Sequence, residues 1–271
     1  MDIPSYDGAA AAAAVLMSPS RRSSPILFVE GTCEVQLLSH HLPDYVDQII
    51  SCGGHAGVEE AIATIKKWEV ANSTRLKILG LIDNDYGVRD SRPRIITSEN
   101  RDVEVDMYMT TAGEKLLNEK ASCKKCPNPR TTISEAMHQL YIVGLTRYYN
   151  SQNGCSWNIN NINLEKCINP DGTFNSDKFL VLLGQENGIS IDTMRLLRDS
   201  LRSSRGIQTQ LIIRGHDVST ILGKWLRNRI GNRQKAETSW KVIEENLRLA
   251  TTYSELSKYN WARRIKKHLI N

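Results

Sequence analysis

The sequence lacks any hydrophobic run that approaches the roughly 18 to 20 residues of a membrane-spanning helix. The apolar stretch 9–17 is short, follows Asp2 and Asp7, and has no lysine or arginine before it. These features exclude a transmembrane helix and do not match a secretion signal. We expect residues 1–24 to form a flexible, lightly helical N-terminal extension of a cytoplasmic protein with no membrane partner.

Cysteine is scarce, with six residues in 271 and no regular spacing. This usage indicates a reducing compartment and argues against a secreted disulfide scaffold. Cys123 and Cys126 have the spacing of half a zinc site, but Cys155 and Cys167 are separated by eleven residues, so the usual second half is missing. Reduced loop cysteines and a structural zinc both remain open.

Nucleotide-binding signatures are also missing, because the chain has neither a P-loop nor a glycine-rich dinucleotide fingerprint. The composition is otherwise that of a globular protein, with 40% hydrophobic and 24% charged residues. The charge is uneven: from Arg195 to the end there are 17 basic and 6 acidic residues, against 18 and 24 before it. Carboxylates gathered for metal ions and a cationic surface for a polyanion would explain this asymmetry; solvated helix faces are the alternative.

Short apolar runs alternate with helical patterns in the first hundred residues. The predicted strands are 25–31, 46–51, 76–82 and 94–97. The predicted helices are 34–38, 58–68, 103–117 (with Asp102 as its cap), 133–149, 219–230 and 238–256. Strands separated by single helices imply an α/β fold, in which a parallel sheet is flanked by helices on both faces. We expect a catalytic core over 25–118 and a mainly helical, basic region over 119–271.

Acidic residues follow two of the predicted strands. Glu30 closes the first strand, and Asp83 and Asp85 come directly after the third. The carboxyl ends of parallel strands lie at one edge, so these carboxylates should converge there, where Mg²⁺ or Mn²⁺ would neutralise them. Glu34, one helical turn beyond Glu30, and Glu104 are further candidates. Each residue taken alone is also compatible with a solvated loop carboxylate or a helix cap.

The segment Gly215-His216-Asp217 follows the apolar run 211–213, a pattern that predicts a turn from strand to helix. His216 could transfer a proton there, because imidazole both gives and accepts protons near neutral pH. Alternatively, Asp217 caps a helix that begins at Val218 and His216 only packs in the turn.

The motif Val29-Glu30-Gly31-x-x-Glu34, followed after about fifty residues by Asp83-x-Asp85, resembles the TOPRIM signature of topoisomerases, primases, ribosomal-RNA maturases and OLD nucleases. The presence of a glutamate at position 34 resembles the pattern of the OLD branch of this family. A narrower resemblance, to TOPRIM-like nucleases of bacterial phage defence such as the effector of the PARIS system, rests on three further segments: Gly53-Gly54 with Val58, Asp102-Val103-Glu104, and Arg214-Gly215-His216-Asp217. His55 stands where these relatives often carry lysine.

The resemblance implies a metal-dependent endoribonuclease that cleaves tRNA and acts with a partner ABC-type ATPase. One or two Mg²⁺ or Mn²⁺ ions would be held by Glu30, Glu34, Asp83, Asp85 and Glu104. Catalysis would involve Glu30, Asp83, Asp85 and His216. By analogy with TOPRIM nucleases, the protein is expected to be a homodimer. The alternatives are a DNA nuclease of the OLD type and a non-catalytic regulatory subunit of the ATPase.

The basic C-terminal region would contact the phosphates of the nucleic acid. The candidate residues are Arg227, Arg229, Arg233, Arg263, Arg264, Lys266 and Lys267. Trp225, Trp240 and Trp261 lie among them and could stack on unpaired bases, although tryptophans at helical spacing are also typical of a core.

Overall fold

The structure is a computed structural model that describes residues 6–87, 92–203 and 206–270. These residues form two compact units. The first unit contains 6–84, 92–99 and 252–270, and the second contains 85–87 together with the described residues between 100 and 251. This division differs from the boundary expected after residue 118, because 100–118 lies in the second unit and the C-terminal stretch rejoins the first.

The strands are β1 Ile26–Val29, β2 Ile49–Ser51, β3 Ile78–Ile82 and β4 Ile95–Thr97. The α-helices are α1 Gly8–Leu16, α2 Pro19–Ser23, α3 Thr32–His41, α4 His55–Ala71, α5 Val103–Tyr108, α6 Ala112–Lys120, α7 Pro129–Gln139, α8 Tyr141–Asn153, α9 Ser176–Asn187, α10 Ile191–Ser203, α11 Gly215–Asn228, α12 Trp240–Ala250, α13 Tyr253–Leu256 and α14 Asn260–Ile270. Short 3-10 helices cover Pro43–Gln48, Asp85–Gly87, Ile159–Asn161, Leu164–Cys167, Thr209–Leu211 and Lys235–Thr238.

The first unit is built on a four-stranded parallel sheet in the order β2-β1-β3-β4. The strands are almost entirely buried, since α4 contacts β1 and β3, α3 contacts β1 and β2, and α14 also contacts β1 and β3. Burial from both faces is the reason that the central strands β1 and β3 contain only apolar residues and glycine. The predicted α/β fold with a parallel sheet and a mainly helical C-terminal region is confirmed.

The N-terminal residues depart from the flexible extension expected over 1–24. Asp7 caps α1 by accepting a 2.7 Å hydrogen bond from the Ala10 N–H. Ala11, Ala12 and Val15 have no exposed surface and belong to the core cluster that α4 forms with the sheet. Residues 8–16 are helical as expected, but they pack against α4 and do not form a separate extension, because small alanine side chains let the helix approach closely. Residues 1–5 of the expected extension lie outside the described residues.

A double glycine connects β2 to α4. Gly53 and Gly54 have φ angles of 71° and 114°, in a region that side chains with a Cβ rarely adopt. The turn lets the Gly54 N–H donate a 2.7 Å hydrogen bond to the Glu30 carbonyl, which brings the start of α4 to the end of β1.

The second unit is helical, and two predicted long helices are broken. The helix expected over 103–117 is α5 and α6, because Thr110 makes local bonds that compete with a continuous helix. Its hydroxyl donates to the Met107 carbonyl at 2.7 Å and accepts from the Ala112 N–H at 3.1 Å. The helix expected over 133–149 is likewise α7 and α8. The apolar run 211–213 is not a strand; it overlaps the end of the 3-10 helix Thr209–Leu211.

None of the described helices combines the length and the apolar character that crossing a membrane would require.

Candidate active site at the sheet edge

The first unit has a topological switch point between β1 and β3. From β1 the chain moves to β2 on one side, then returns to β3 on the other side of β1. In open parallel sheets, such a point leaves a crevice at the carboxyl ends of the two strands, where ligands bind. Glu30 directly follows β1, and Asp83 directly follows β3, so both residues flank this crevice.

Glu30 and Asp83 are in direct contact. The Asp83 N–H donates a 2.8 Å hydrogen bond to Glu30 Oε1. The Glu30 side chain is 19% exposed, so its carboxylate is partly shielded but reachable from solvent. The hydrogen bond fixes one Glu30 oxygen against the backbone at the end of β3, and the sheet topology places both residues at the same edge.

Glu34 has a local structural role at the same edge. It lies in the first turn of α3, and its Oε2 accepts a 2.9 Å hydrogen bond from the Gly31 N–H. This bond satisfies one of the backbone amides that the start of a helix leaves unpaired. Glu34 therefore shapes the turn that carries Glu30.

His55 is a site residue that the sequence showed only as a departure from the TOPRIM-like pattern. Its Nδ1 lies 3.8 Å from Glu30 Oε1, and its Nε2 lies 2.9 Å from Glu59 Oε1. Glu59 also binds Arg92, and the hydrogen bond from that guanidinium lowers the Glu59 pKa. Glu59 therefore stays ionised and holds the imidazole beside Glu30. The double glycine was the available signal, because its turn places the next residue at the sheet edge.

The carboxylate oxygens of Glu30 and Asp83 suit a hard divalent cation. Among the described residues, Glu30, Glu34 and Asp83 do not bring three ligand atoms within 4.8 Å of one another. Mg²⁺ does not require such a cage, since proteins usually hold it through one or two carboxylates together with water and substrate phosphates. The Glu30 and Asp83 pair fits a site of that kind.

The five acidic residues expected to bind metal are divided between the units. Glu30, Glu34 and Asp83 lie in the first, whereas Asp85 and Glu104 lie in the second. Asp85 Oδ1 is 2.7 Å from Arg101 Nη1, so an arginine supplies its counter-charge. The same guanidinium lies 4.0 Å from the centre of the Tyr86 ring.

Glu104 lies in the first turn of α5, with a carboxylate oxygen within 4.8 Å of one from Glu244. Asp102 caps α5, as predicted, by accepting a 2.8 Å hydrogen bond from the Val105 N–H. Its other oxygen accepts a 2.9 Å bond from the Gly215 N–H. Burial raises the Asp102 pKa, while these two backbone bonds oppose the rise. Asp102 thus joins the starts of α5 and α11.

His216 and Asp217 lie in the first turn of α11, which begins at Gly215 and not at Val218. Asp217 is not the cap that the alternative interpretation required, since it forms a buried ion pair with Arg147. His216 Nδ1 is 3.5 Å from Glu244 Oε1, and its ring packs edge-on against Trp240 with the centroids 3.9 Å apart. His216 is therefore part of a helical cluster in the second unit.

The predicted nucleic-acid-binding residues fall into two groups. Three lie in the second unit and make internal contacts: Arg227 pairs with Glu165, Arg229 pairs with Glu135, and Arg233 donates to the Lys120 carbonyl. The other four are exposed on α14 in the first unit, namely Arg263, Arg264, Lys266 and Lys267, and of these Arg263 also donates to the Ser257 and Lys258 carbonyls. Exposed cations on one helix are suited to phosphate contacts, whereas the charge of Arg227 and Arg229 is matched within the fold.

The tryptophans separate in the same way. Trp225 and Trp261 are buried, with 0% and 1% exposure, so they cannot stack on a base. The Trp225 Nε1–H donates a 2.7 Å hydrogen bond to the Gly172 carbonyl. Trp240 is half-buried and remains the one of the three that a ligand can reach.

Cys123 is exposed, and Cys126 is buried with its Sγ 3.3 Å from the Thr132 hydroxyl. Within the described ranges, neither belongs to a group of three metal-binding side chains with ligand atoms within 4.8 Å.

No protein-family model matches this sequence, and no curated protein matches it significantly.

Proposed function

We propose that this protein is a metal-dependent endonuclease that hydrolyses phosphodiester bonds in RNA, and in tRNA in particular, together with a partner ABC-type ATPase. The observation that carries the proposal is the meeting of Glu30 and Asp83 at the switch point of a parallel sheet. Both residues carry a carboxylate at this edge, and a divalent cation is the counter-charge that would suit their oxygens. Bound Mg²⁺ would offset the negative charge of the phosphodiester and favour the ionised form of the attacking water.

The protein's own residues preorganise this crevice. The Asp83 N–H holds Glu30 Oε1 in place, and Glu34 fixes the turn that follows β1. Glu59 orients His55 so that its Nδ1 lies 3.8 Å from Glu30, where it can contact a phosphate oxygen or a water beside that carboxylate. Held side chains lose little further freedom when substrate binds, and this is the main contribution that positioning makes to catalysis.

RNA is favoured as the substrate by the TOPRIM-like resemblance, and the cations of the C-terminal helix would contact its phosphates. Arg263, Arg264, Lys266 and Lys267 are exposed on α14, which packs against β1 and β3 of the same unit. A phosphate backbone is the common polyanion that such a surface would bind.

The test uses the purified full chain, incubated with total tRNA and separately with duplex DNA, in Mg²⁺ and in EDTA, with the product ends mapped. The expected result is Mg²⁺-dependent cleavage of tRNA that disappears in Glu30→Gln and Asp83→Asn. Glu119→Gln is the matched control, because Glu119 is an exposed helical glutamate in α6. Cleavage of duplex DNA but not of tRNA would identify DNA and not RNA as the substrate. If neither substrate is cut, with or without the ATPase and ATP, the protein is a regulatory module.

A further inference from the structure

The second unit contains a cavity of about 560 Å³ that the proposed chemistry at the sheet edge does not use. Its walls come from α8, the asparagine-rich segment 158–165, the start of α11, and the residues from Lys235 to Trp240. The volume lies within the range of about 300 to 1,000 Å³ that is typical of small-molecule sites. The cavity joins three sequence features that do not belong to the site at the sheet edge: the asparagines, His216 and Trp240.

The cavity has a surplus of positive charge. Two of its carboxylates are matched, since Asp217 pairs with Arg147 and Glu165 pairs with Arg227. Arg214 and Lys235 also line the cavity, and no carboxylate of the described chain lies within ion-pairing distance of either. Asn160 Oδ1 accepts a 2.8 Å hydrogen bond from Arg214 Nη1, which holds that guanidinium at the cavity wall. Two cations at one wall favour an anionic ligand, and a guanidinium suits phosphate.

An aromatic wall, formed by Trp240 and His216, lies beside these cations. Their ring centroids are 3.9 Å apart, and both side chains are partly exposed. Lys241 Nζ lies 5.4 Å from the Trp240 ring centre, so one more cation borders the wall. Nucleobases pack well against aromatic rings, and side-chain amides such as those of Asn160 and Asn163 hydrogen-bond to base edges.

One buried polar group of the cavity also lacks a partner. Arg147 is 8% exposed, and its two Nη atoms bind Asp217. Its Nε is buried and makes no hydrogen bond to the part of the chain that the structure describes. This nitrogen has almost no accessible surface, so a ligand in the cavity would not contact it, and Arg147 shapes the cavity wall through its ion pair with Asp217.

We propose that this cavity binds a nucleoside phosphate, with the phosphate at Arg214 and Lys235 and the base against Trp240 and His216. The inference deepens the proposed function and rests on it in one respect: an unpaired nucleotide of the RNA substrate is one source of this chemistry. A free mononucleotide is the other source, and it presents the same base and phosphate. A cavity that grips one unpaired nucleotide would position a strand by its loop or end and not by its duplex.

The experiment measures binding by calorimetry with the full chain carrying Glu30→Gln, in EDTA, so that no cleavage intervenes. The probes are AMP, UMP, adenosine, inorganic phosphate, a single-stranded RNA hexamer and a glutamate-rich peptide. We expect a nucleoside monophosphate or the hexamer to bind at least about tenfold more tightly than adenosine or phosphate alone, because both halves of the site contribute. Lys235→Gln and Trp240→Leu should each weaken that binding about tenfold.

Lys125→Gln is the matched control, since it removes one exposed lysine of the same unit that does not line the cavity. Binding of AMP or UMP assigns a free nucleotide, whereas binding of the hexamer alone assigns a nucleotide within a strand. The proposal is overturned if no nucleotide probe binds, if Lys235→Gln and Trp240→Leu bind as tightly as Lys125→Gln, or if only the peptide binds. Lys235 is exposed, so its variant tests the site even if Trp240→Leu fails to fold.

The nuclease proposal and the cavity proposal can each be rejected without rejecting the other. Nucleotide binding that depends on Lys235, without cleavage of tRNA or duplex DNA by the unsubstituted protein in the presence or absence of the ATPase and ATP, retains the cavity site and rejects the nuclease. Mg²⁺-dependent cleavage without such binding retains the nuclease and rejects the cavity site.

Discussion

The Glu30 carboxylate accepts a hydrogen bond from the backbone N–H of Asp83, a residue 53 positions further along the chain. The bond joins the ends of two adjacent parallel strands, so the geometry of the sheet sets the geometry of the proposed active site. Because the donor is a backbone amide, a neutral side chain with an oxygen acceptor at position 30 can keep the bond. Structural and chemical roles of Glu30 can therefore be separated.

Glu30→Gln and Glu30→Leu should differ in stability but not in activity. Glutamine keeps an oxygen for the Asp83 N–H, whereas leucine leaves that donor unpaired at a cost of about 1 kcal/mol in the free energy of unfolding. Both variants should lose Mg²⁺-dependent cleavage by about 100-fold or more, because neither supplies a negative charge. Urea unfolding and a tRNA cleavage assay measure the two effects. Retained cleavage in Glu30→Gln would remove this carboxylate from the metal site.

Arg94 and Glu69 form a paired contact with little exposure, whose stabilising effect should depend on pH. Arg94 Nη1 and Nη2 lie 2.8 and 3.0 Å from the two Glu69 oxygens. Burial raises the Glu69 pKa, but the bonds from Arg94 and the Leu76 N–H outweigh it, so the net pKa is lowered. Because the folded pKa is below the unfolded value, the stabilisation is complete at neutral pH and disappears as the pH falls through the folded value.

Arg94→Gln should therefore lower the free energy of unfolding at pH 7 by about 3 kcal/mol, the usual cost of breaking a buried pair. The deficit should shrink in acid, where Glu69 is protonated in the folded variant and in the unfolded chain. Denaturant unfolding at pH 7 and at pH 4 makes the comparison. A deficit of equal size at both values would show that the loss is one of packing and not of charge.

Arg147 and Asp217 form a buried pair in the second unit, with side chains 9% and 4% exposed. Asp217→Asn should cost about 3 kcal/mol, because it leaves a buried guanidinium without its counter-charge. The double variant Arg147→Met with Asp217→Leu should recover most of that loss, since apolar side chains need no partner. The unfolding free energies of Arg147→Met, Asp217→Leu and the double variant form a double-mutant cycle that gives the coupling energy between the two residues. Additive effects of the two sites would contradict the pair.

Trp225 and Trp240 should respond differently to substitution. Trp225→Phe keeps most of the packing but removes the hydrogen bond to the Gly172 carbonyl, so unfolding should become easier by about 1 to 2 kcal/mol. Nucleotide binding by the folded Trp225→Phe protein should stay unchanged, in contrast to Trp240→Leu. Calorimetric titrations and melting curves of the two variants, run side by side, decide the assignment.

The exposed cations of α14 should act on RNA affinity, whereas Arg229 should act on stability. Lys267→Gln removes an exposed charge, so the slope of log K against log salt should fall by about 0.7 for each lost contact to single-stranded RNA. Arg229→Gln breaks an ion pair with Glu135 and a contact 4.4 Å from the Trp225 ring centre, and should lower the melting temperature with little effect on that slope. Fluorescence anisotropy at several salt concentrations tests both expectations.

The sheet was predictable because its signal is local. The central strands β1 and β3 are continuous apolar runs, and the glycine turns mark where β1 and β2 end. The juxtaposition of Glu30 and Asp83 followed from the same signal, because adjacent parallel strands bring their carboxyl ends to one edge whatever the loops do. His55 was visible only as an unusual residue after Gly54. Its partner Glu59 lies one turn further along the same helix, whereas the contact of Glu59 with Arg92 depends on how α4 and the approach to β4 pack.

The amino-acid sequence by itself determined the parallel sheet, its helical layers and the position of Glu30 and Asp83 at strand ends, since hydrophobic periodicity fixes these features. The strand order that makes β1 and β3 neighbours was decided by the tertiary structure. The tertiary structure alone decided that α1 is core, that Asp85 pairs with Arg101, and that Trp225 is buried whereas Trp240 lines a cavity. Each of these outcomes depends on which distant side chain arrives opposite a residue. Burial and ion pairing depend on both residues of such a pair, so the hydrophobic periodicity of one segment does not predict them.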